Sequence, residues 1–252
     1  MERNAPRYDV FVVLDYADEY RGLVKSGLAT HYIVGPKEAR AFGVDEWTKI
    51  LRENPRLVLA RYQLPPEAWR EEVAQSVIAA ARRLAQSSVD ATSLTVIDEC
   101  HWVAPQTGGL PDVVKGMGTT GRGEGASSMW ATQRLTEFNE TLLGNMMFYI
   151  LGGYTSSGDL DKLKKVAEYP VKIHNPTVTS LPTLPDALQV DGESIPLRRF
   201  TEGEGEDEKT VGSEWIYSDD TGDLRRIDTR RVAMEATHYG SEGMKLLPPE
   251  ER

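Results

Sequence analysis

"SLTVIDECHWVAP", residues 93–105, is the stretch on which the fold turns. Leu94, Val96 and Ile97 make an apolar, β-rich run, and Asp98 and Glu99 stand side by side where it stops. A buried parallel strand has this pattern when it reaches the carboxyl edge of its sheet, which is where α/β proteins place their chemistry. Two acids at that edge point to a metal ion and a base. Acid pairs at strand ends also serve as helix N-caps or surface ion pairs, so the dipeptide alone leaves both readings open.

Working outward, "YDVFVVLDY" (8–16) repeats the pattern and ends in Asp15, and "RLVLARYQL" (56–64) predicts another strand. Pro65 and Pro66 then open a helix. Its first turns hold Glu67, Glu71 and Glu72 and its last holds Arg82 and Arg83, which complements the helix dipole, while Trp69, Val73, Val77, Ala81 and Leu84 recur at helical spacing. Beyond residue 105, "SSMWATQR" (127–134) and "MFYILGGY" (147–154) predict two further strands of the same sheet, and "NETLLGN" a short helix between them. Residues 156–170 predict a helix capped by Ser157 or Asp159 and stopped by Pro170. Strand and helix alternate, so the expected architecture is a three-layer α/β domain with a mostly parallel sheet. The glycine-dense segment 108–128 reads as a mobile loop or a plain flexible turn.

The character changes after Asn175. Residues 174–190 are punctuated by proline, 201–210 are a polar acidic stretch read as an exposed loop, and 213–230 read as two short strands around an Asp-Asp-Thr-Gly turn. The expected division is a core over 1–175 and a small β-containing appendage over 176–252.

Composition narrows the class. Of 252 residues, 40% are hydrophobic and 27% charged, which fits a globular protein able to bury a core rather than a disordered chain. A formal net charge of −10 argues against a broadly basic nucleic-acid coat, so any DNA contact must be local. One cysteine, Cys100, permits no internal disulfide and fits a reducing cytoplasm; neither a signal peptide nor a membrane span is expected. Cys100 and His101 lack a second ligand pair at zinc spacing, and His31, His174 and His238 have no nucleophile motif to complete a triad. Trp102 and Trp130 read as core or rim aromatics rather than base-stacking platforms.

"VVLDYADEY", "TVIDECHWVAP" and "TTGRGEGASSMWATQR" together resemble, in order and spacing, the core of the HerA/FtsK superfamily of ring-forming DNA-pumping ATPases. The closest likeness is to HerA-type ATP-binding proteins of haloarchaea and their viruses and plasmids. The resemblance covers about residues 8–175. It implies a RecA-like phosphate-loop NTPase fold, with ATP and Mg²⁺ as cofactors, DNA as partner and a homo-oligomeric ring. It further implies that Asp98 and Glu99 form the Walker B pair, with Asp98 anchoring the metal and Glu99 polarising the attacking water. Gln133 then matches the sensor and Arg122 the arginine finger. Asp15 and Glu19 match the family's acidic strand-end motif. On the residues alone, Arg122 in its loop fits a finger, a DNA-backbone contact or a solvated side chain.

A Walker A loop requires Gly-x-x-x-x-Gly-Lys followed by Ser or Thr, and no Lys-Ser or Lys-Thr follows the glycines of 116–125. In the family the first strand, that loop and the first helix precede the strand matched by "VFVVLDY". The fold is therefore expected to lack its first strand and helix, to offer no cofactor-binding loop residue, and to hold ATP weakly or not at all by itself. A second expectation from another class stands beside the ATPase: a binding or structural subunit that keeps the fold without a working nucleotide site.

Overall fold

Every residue of Val10–Asp15 is buried, as is every residue of Ser93–Ile97, because each strand lies between two others and is covered on both faces. The computed structural model describes residues 1–203, 205, 208–234 and 236. It divides the described residues into two compact units: residues 1–142, joined by Met234 and Ala236, and residues 143–233. The compositional change near residue 175 falls inside the second unit.

The first unit runs β1 (Val10–Asp15), α1 (Arg21–Lys25), β2 (Thr30–Val34), α2 (Pro36–Ala41), α3 (Val44–Glu53), β3 (Arg56–Arg61), α4 (Pro66–Ala68), a π-helical segment (Trp69–Ala74), α5 (Gln75–Ala85), β4 (Ser93–Ile97), α6 (Asp112–Thr119) and β5 (Ala126–Trp130). All five strands are parallel, in the order β2-β3-β1-β4-β5. Phe11, Val13, Val58, Leu94 and Val96 point to one face and pack with Ala5 and Leu23 of α1. The alternating set, Val12, Leu14, Leu57 and Leu59, lies on the other face; α3 and α5 pack on the strands and on each other, and their Trp47, Leu51, Val77, Ile78 and Ala81 are buried. The α/β class and parallel sheet expected from the sequence are therefore present. The helix begun at Pro66 is also present, with one π-helical stretch inside it.

The glycine-dense segment is not a free loop. It carries α6 and a 3-10 turn (Gly121–Glu124), and Arg82 of α5 ties it down by donating through Nε to Glu124 Oε2 at 3.0 Å. Gln86 donates to the same oxygen at 2.9 Å and Thr120 Oγ1 to Glu124 Oε1 at 3.2 Å. The chain then reverses into β5 at Gly125, whose φ of 78° is open to glycine at little cost. β2, α2 and α3 have no counterpart in the sequence reading.

After α7 (Glu140–Leu143) comes the larger correction. Strand β6 (Phe148–Leu151) does not extend the parallel sheet: it runs antiparallel to β8 (Lys209–Asp219). After β6 and α8 (Ser157–Leu163), β7 (Arg199–Glu202) pairs with the first part of β8, and β9 (Leu224–Asp228) returns along its second part. Four apolar residues show that a strand exists and not which sheet it joins; Leu151 opposite buried Ile216 decides that here. Helix α8 stops well short of Pro170, and its N-cap is Ser156, without a side-chain cap.

The hairpin at 219–223 forms as expected: Asp219 accepts from the N–H groups of Thr221 and Asp223, both at 3.0 Å. The acidic stretch 201–210 lies in the β7–β8 connection, with its ends in the strands; residues 204, 206 and 207, like His238, lie outside the described residues. No helix among the described residues is long and apolar enough to cross a membrane.

Candidate functional site

The strand order creates the site. From β1 the chain departs toward β2 on one side of the sheet, and from β4 it departs toward β5 on the other. The two exits diverge, and such a switch point opens a crevice at the carboxyl edge of an open α/β sheet. Asp15 ends β1 and Asp98 follows β4, whose ladder is extended by Asp98 N–H donating to Leu14 O at 3.1 Å. Two acids far apart in sequence thus meet at one edge.

Both are buried, Asp15 at 0% and Asp98 at 7% exposure. Asp15 organises the loop after it: Oδ1 accepts from Glu19 N–H and Oδ2 from Tyr20 N–H, each at 3.0 Å. That turn swings the Tyr20 hydroxyl onto Asp98 Oδ1 at 3.4 Å. Asp98 Oδ2 is buried with no hydrogen-bond partner. Burial, then the neighbouring charges of Asp15, Glu99 and Glu19, push the Asp98 carboxyl up to about 7. Burial pushes Asp15 up to about 6 against the N–H groups it accepts from. Burial and the nearby acids also raise the Tyr20 phenol.

Glu99 takes the left-handed conformation, φ 41° and ψ 49°, which costs a non-glycine residue on the order of 1 kcal/mol. The turn is held because Cys100 N–H donates to Ala131 O at 2.8 Å, fastening it to the exit of β5. Glu99 is thereby set beside residues 131–134. Gln133 Nε2 donates to Glu99 Oε1 at 3.4 Å, and buried His101 places Nδ1 3.2 Å from Glu99 Oε2. Gln133 itself is exposed and lies just beyond β5 rather than in it. An aromatic wall stands at the same edge: Tyr16 stacks on Trp102, centroids 5.7 Å apart, with the Arg61 guanidinium 4.0 Å from the Tyr16 centroid.

The structure thus brings together Asp15, Asp98, Glu99 and Gln133. Glu19 touches the group through its backbone, and its side chain is exposed. Arg122 is apart. It sits in the turn that leads into the amino end of β5, and since Ala126 pairs with Ser93, it is separated from Asp98 by about 16 Å of strand. Sequence reasoning passed over Tyr20 and Thr132, and weighed His101 only as a zinc ligand. Tyr20 lies in a stretch singled out for its acids, but only the Asp15 turn reveals that its hydroxyl returns to Asp98.

Among the described residues, no three His, Cys, Asp or Glu side chains converge as a metal cage. The donor set at the edge, an unpartnered buried carboxylate oxygen with further acids nearby, instead fits a hard cation that keeps waters and ligand oxygens in its remaining positions.

No protein-family model matches the chain, and no curated protein matches it. Among solved structures, the chain is similar to the genome-packaging NTPase B204 of Sulfolobus turreted icosahedral virus 2 in complex with ATP-γS, at 12% identity and a TM-score of 0.47, over 86% of this chain and 96% of that one. The AMPPCP complex of the same protein gives 11% identity and 0.47 over 87% and 96%. The DNA-packaging ATPase B204 from Sulfolobus turreted icosahedral virus gives 11% and 0.46 over 86% and 96%.

Proposed function

We propose that the carboxyl edge of β1 and β4 is the metal- and water-handling half of an ATP-hydrolysing site, in a motor of the HerA/FtsK class that moves or packages DNA. The observation that carries the reading is the meeting of Asp98 and Glu99 with Asp15 and Gln133 at the switch point, with Asp98 buried and one of its oxygens unpartnered. Asp98 would hold Mg²⁺, which supplies positive charge for the phosphate oxygens of ATP when bound. Asp15 adds negative charge behind Asp98 and shapes the loop that carries Glu19 and Tyr20. Glu99, held at the mouth by Gln133, accepts the proton of the attacking water, and Gln133 orients that carboxylate. Movement of DNA and assembly into a ring rest on the sequence resemblance over residues 8–175, and a cytoplasmic setting on the single cysteine, Cys100.

A second reading, a subunit that keeps the fold without turning over nucleotide, is favoured by the sequence itself, in which no Gly-x-x-x-x-Gly-Lys-Ser/Thr loop occurs within residues 1–252. One experiment separates the two. Calorimetry and steady-state hydrolysis are measured at millimolar Mg-ATP, because no Gly-Lys-Ser/Thr loop is present to grip the phosphates. The ATPase reading expects binding and turnover, with Glu99→Gln retaining binding and losing about 10²-fold or more in turnover. A wild-type chain that neither binds nor hydrolyses Mg-ATP under these conditions upholds the second reading.

A further inference from the structure

Asp98 sits in a field made negative by Asp15, Glu99 and Glu19, and its Oδ2 is buried without a hydrogen-bond partner. The side chain that reaches its other oxygen is neutral: Tyr20 O–H stands 3.4 Å from Asp98 Oδ1. That hydroxyl is delivered by a turn fixed at several points. Asp15 accepts the N–H groups of Glu19 and Tyr20, Asp18 takes the left-handed conformation at φ 61°, and Arg21 Nε donates to Asp18 Oδ2 at 2.8 Å. The Tyr20 ring itself packs against the buried cluster that includes Phe11, Val13 and Leu23.

We infer that Tyr20 is a positioning residue whose hydroxyl holds the Asp98 carboxylate in the orientation that receives a divalent cation.

The role of Asp98 as cation anchor belongs to the function proposed above, and that of Tyr20 rests on it. An ionised carboxylate only accepts hydrogen bonds, and the phenol, raised by burial and by the nearby acids, keeps its proton, so Tyr20 is the donor when Asp98 is charged. A hydrogen bond to one oxygen fixes the rotation of the carboxylate plane, which repulsion from neighbouring acids does not. A lysine or arginine in the same place would orient the carboxylate and also neutralise it, in competition with the cation; a phenol orients it and leaves its charge free. Because packing and the Asp15 turn fix the torsions of Tyr20 beforehand, little side-chain freedom is lost when the cation arrives.

The test is Mn²⁺ binding by the whole chain without nucleotide, titrated to millimolar Mn²⁺ at pH 8, where Asp98 is ionised, and read from the EPR signal of the free ion. Asp98→Asn is expected to abolish the binding. Tyr20→Phe keeps the ring and loses only the hydroxyl; it is expected to weaken Mn²⁺ about tenfold, as loss of a hydrogen bond to a metal-ligating group does, with the Tm of the cation-free chain unchanged. Tyr20→Leu, which loses ring and hydroxyl together, should weaken Mn²⁺ at least as much and lower that Tm as well. Wild-type affinity in Tyr20→Phe, with Asp98→Asn abolishing binding, overturns the role of Tyr20 and leaves the anchor standing. A loss of affinity seen in Tyr20→Leu and not in Tyr20→Phe assigns the effect to packing and overturns that role equally. Mn²⁺ binding that Asp98→Asn does not reduce, or a wild type that binds no Mn²⁺, overturns the anchor and the role of Tyr20 with it.

Discussion

At the scale of single residues, the acid edge is a place where the fold works against itself. Asp98 near 7 and Asp15 near 6 hold protons in the folded state that an unfolded chain releases near pH 4. Folded pKa values raised in this way give stability that is complete below about pH 4 and is lost as pH rises through 6 to 7. Asp98→Asn should therefore raise the Tm at pH 8 by about 2–8 °C, corresponding to roughly 1–3 kcal/mol, with the gain vanishing toward pH 4. Thermal melts across that range check it, and a gain that is the same at both ends would show the charge is not its source. A destabilising charge at a crevice is what the cation-binding role proposed for Asp98 would require. The left-handed Glu99 next to it follows the same logic, since the turn aims its carboxylate at the mouth.

At the scale of elements, the second unit is held by polar groups buried in its sheet. Glu214 of β8, 4% exposed, accepts from Arg226 of β9 at 2.6 Å and from Arg198 at 2.8 Å. Arg226 also donates to the carbonyls of Leu188 and Ile195, each at 3.0 Å, and of Pro196 at 2.7 Å, so one guanidinium fastens the proline-rich segment to the strands. Arg226→Met should cost about 2–3 kcal/mol, because it leaves three carbonyls without their donor and Glu214 paired with Arg198 alone. Urea denaturation measures this, and a loss below 1 kcal/mol would mean that water replaces the clamp. His174 adds a pH response to this unit. Fully buried, it donates through Nδ1 to Gly152 O at 2.6 Å and accepts from Tyr169 O–H at Nε2, 3.0 Å away, which makes it a satisfied core histidine. Burial drives its pKa down to about 4. That sign is opposite to the acid edge: the stability it supports is present above about pH 6.5 and is lost as pH falls toward 4. An NMR titration should show His174 unprotonated at pH 5.5; a midpoint near 6.5 would contradict its burial.

At the scale of the whole molecule, Arg122 and the acids occupy opposite edges of one parallel sheet. A side chain at the amino end of β5 does not reach Glu99 in the same copy across about 16 Å of strand. If Arg122 serves hydrolysis, it serves a neighbour's site, where a positive charge meets the charge developing on phosphate. Arg122→Ala subunits are then expected to bind nucleotide normally and to depress the activity of mixed assemblies below the wild-type fraction. Activity strictly proportional to that fraction would assign Arg122 no role in a neighbouring copy.

The position of the acid pair, at the carboxyl end of a buried strand, was legible from residues 93–105 alone, because such a run turns from apolar to charged only where the sheet meets an open edge. β1, β3, β4, β5 and the helix from Pro66 were legible for the same kind of reason: their apolar spacing and their flanking prolines are local facts. β2 was not, since "THYIV" is a short edge strand only partly buried and carries a weak pattern. Nor was α6, whose glycines mask a helix that Arg82 and Glu124 secure from elsewhere in the chain. β6 was read as a strand and assigned to the wrong sheet, because pairing is decided by the partner strand and β8 lies far along the sequence. Sequence by itself determined that β1, β3 and β4 are buried strands and that β1 and β4 run into acids; Phe148 and Ile150 of β6, equally apolar, are exposed. Only the tertiary structure decided that Asp15 stands beside Asp98, that Tyr20 and Gln133 close on the pair, and that Thr132 holds His101, because each of those contacts joins residues whose neighbourhood is set by strand order rather than by chain order.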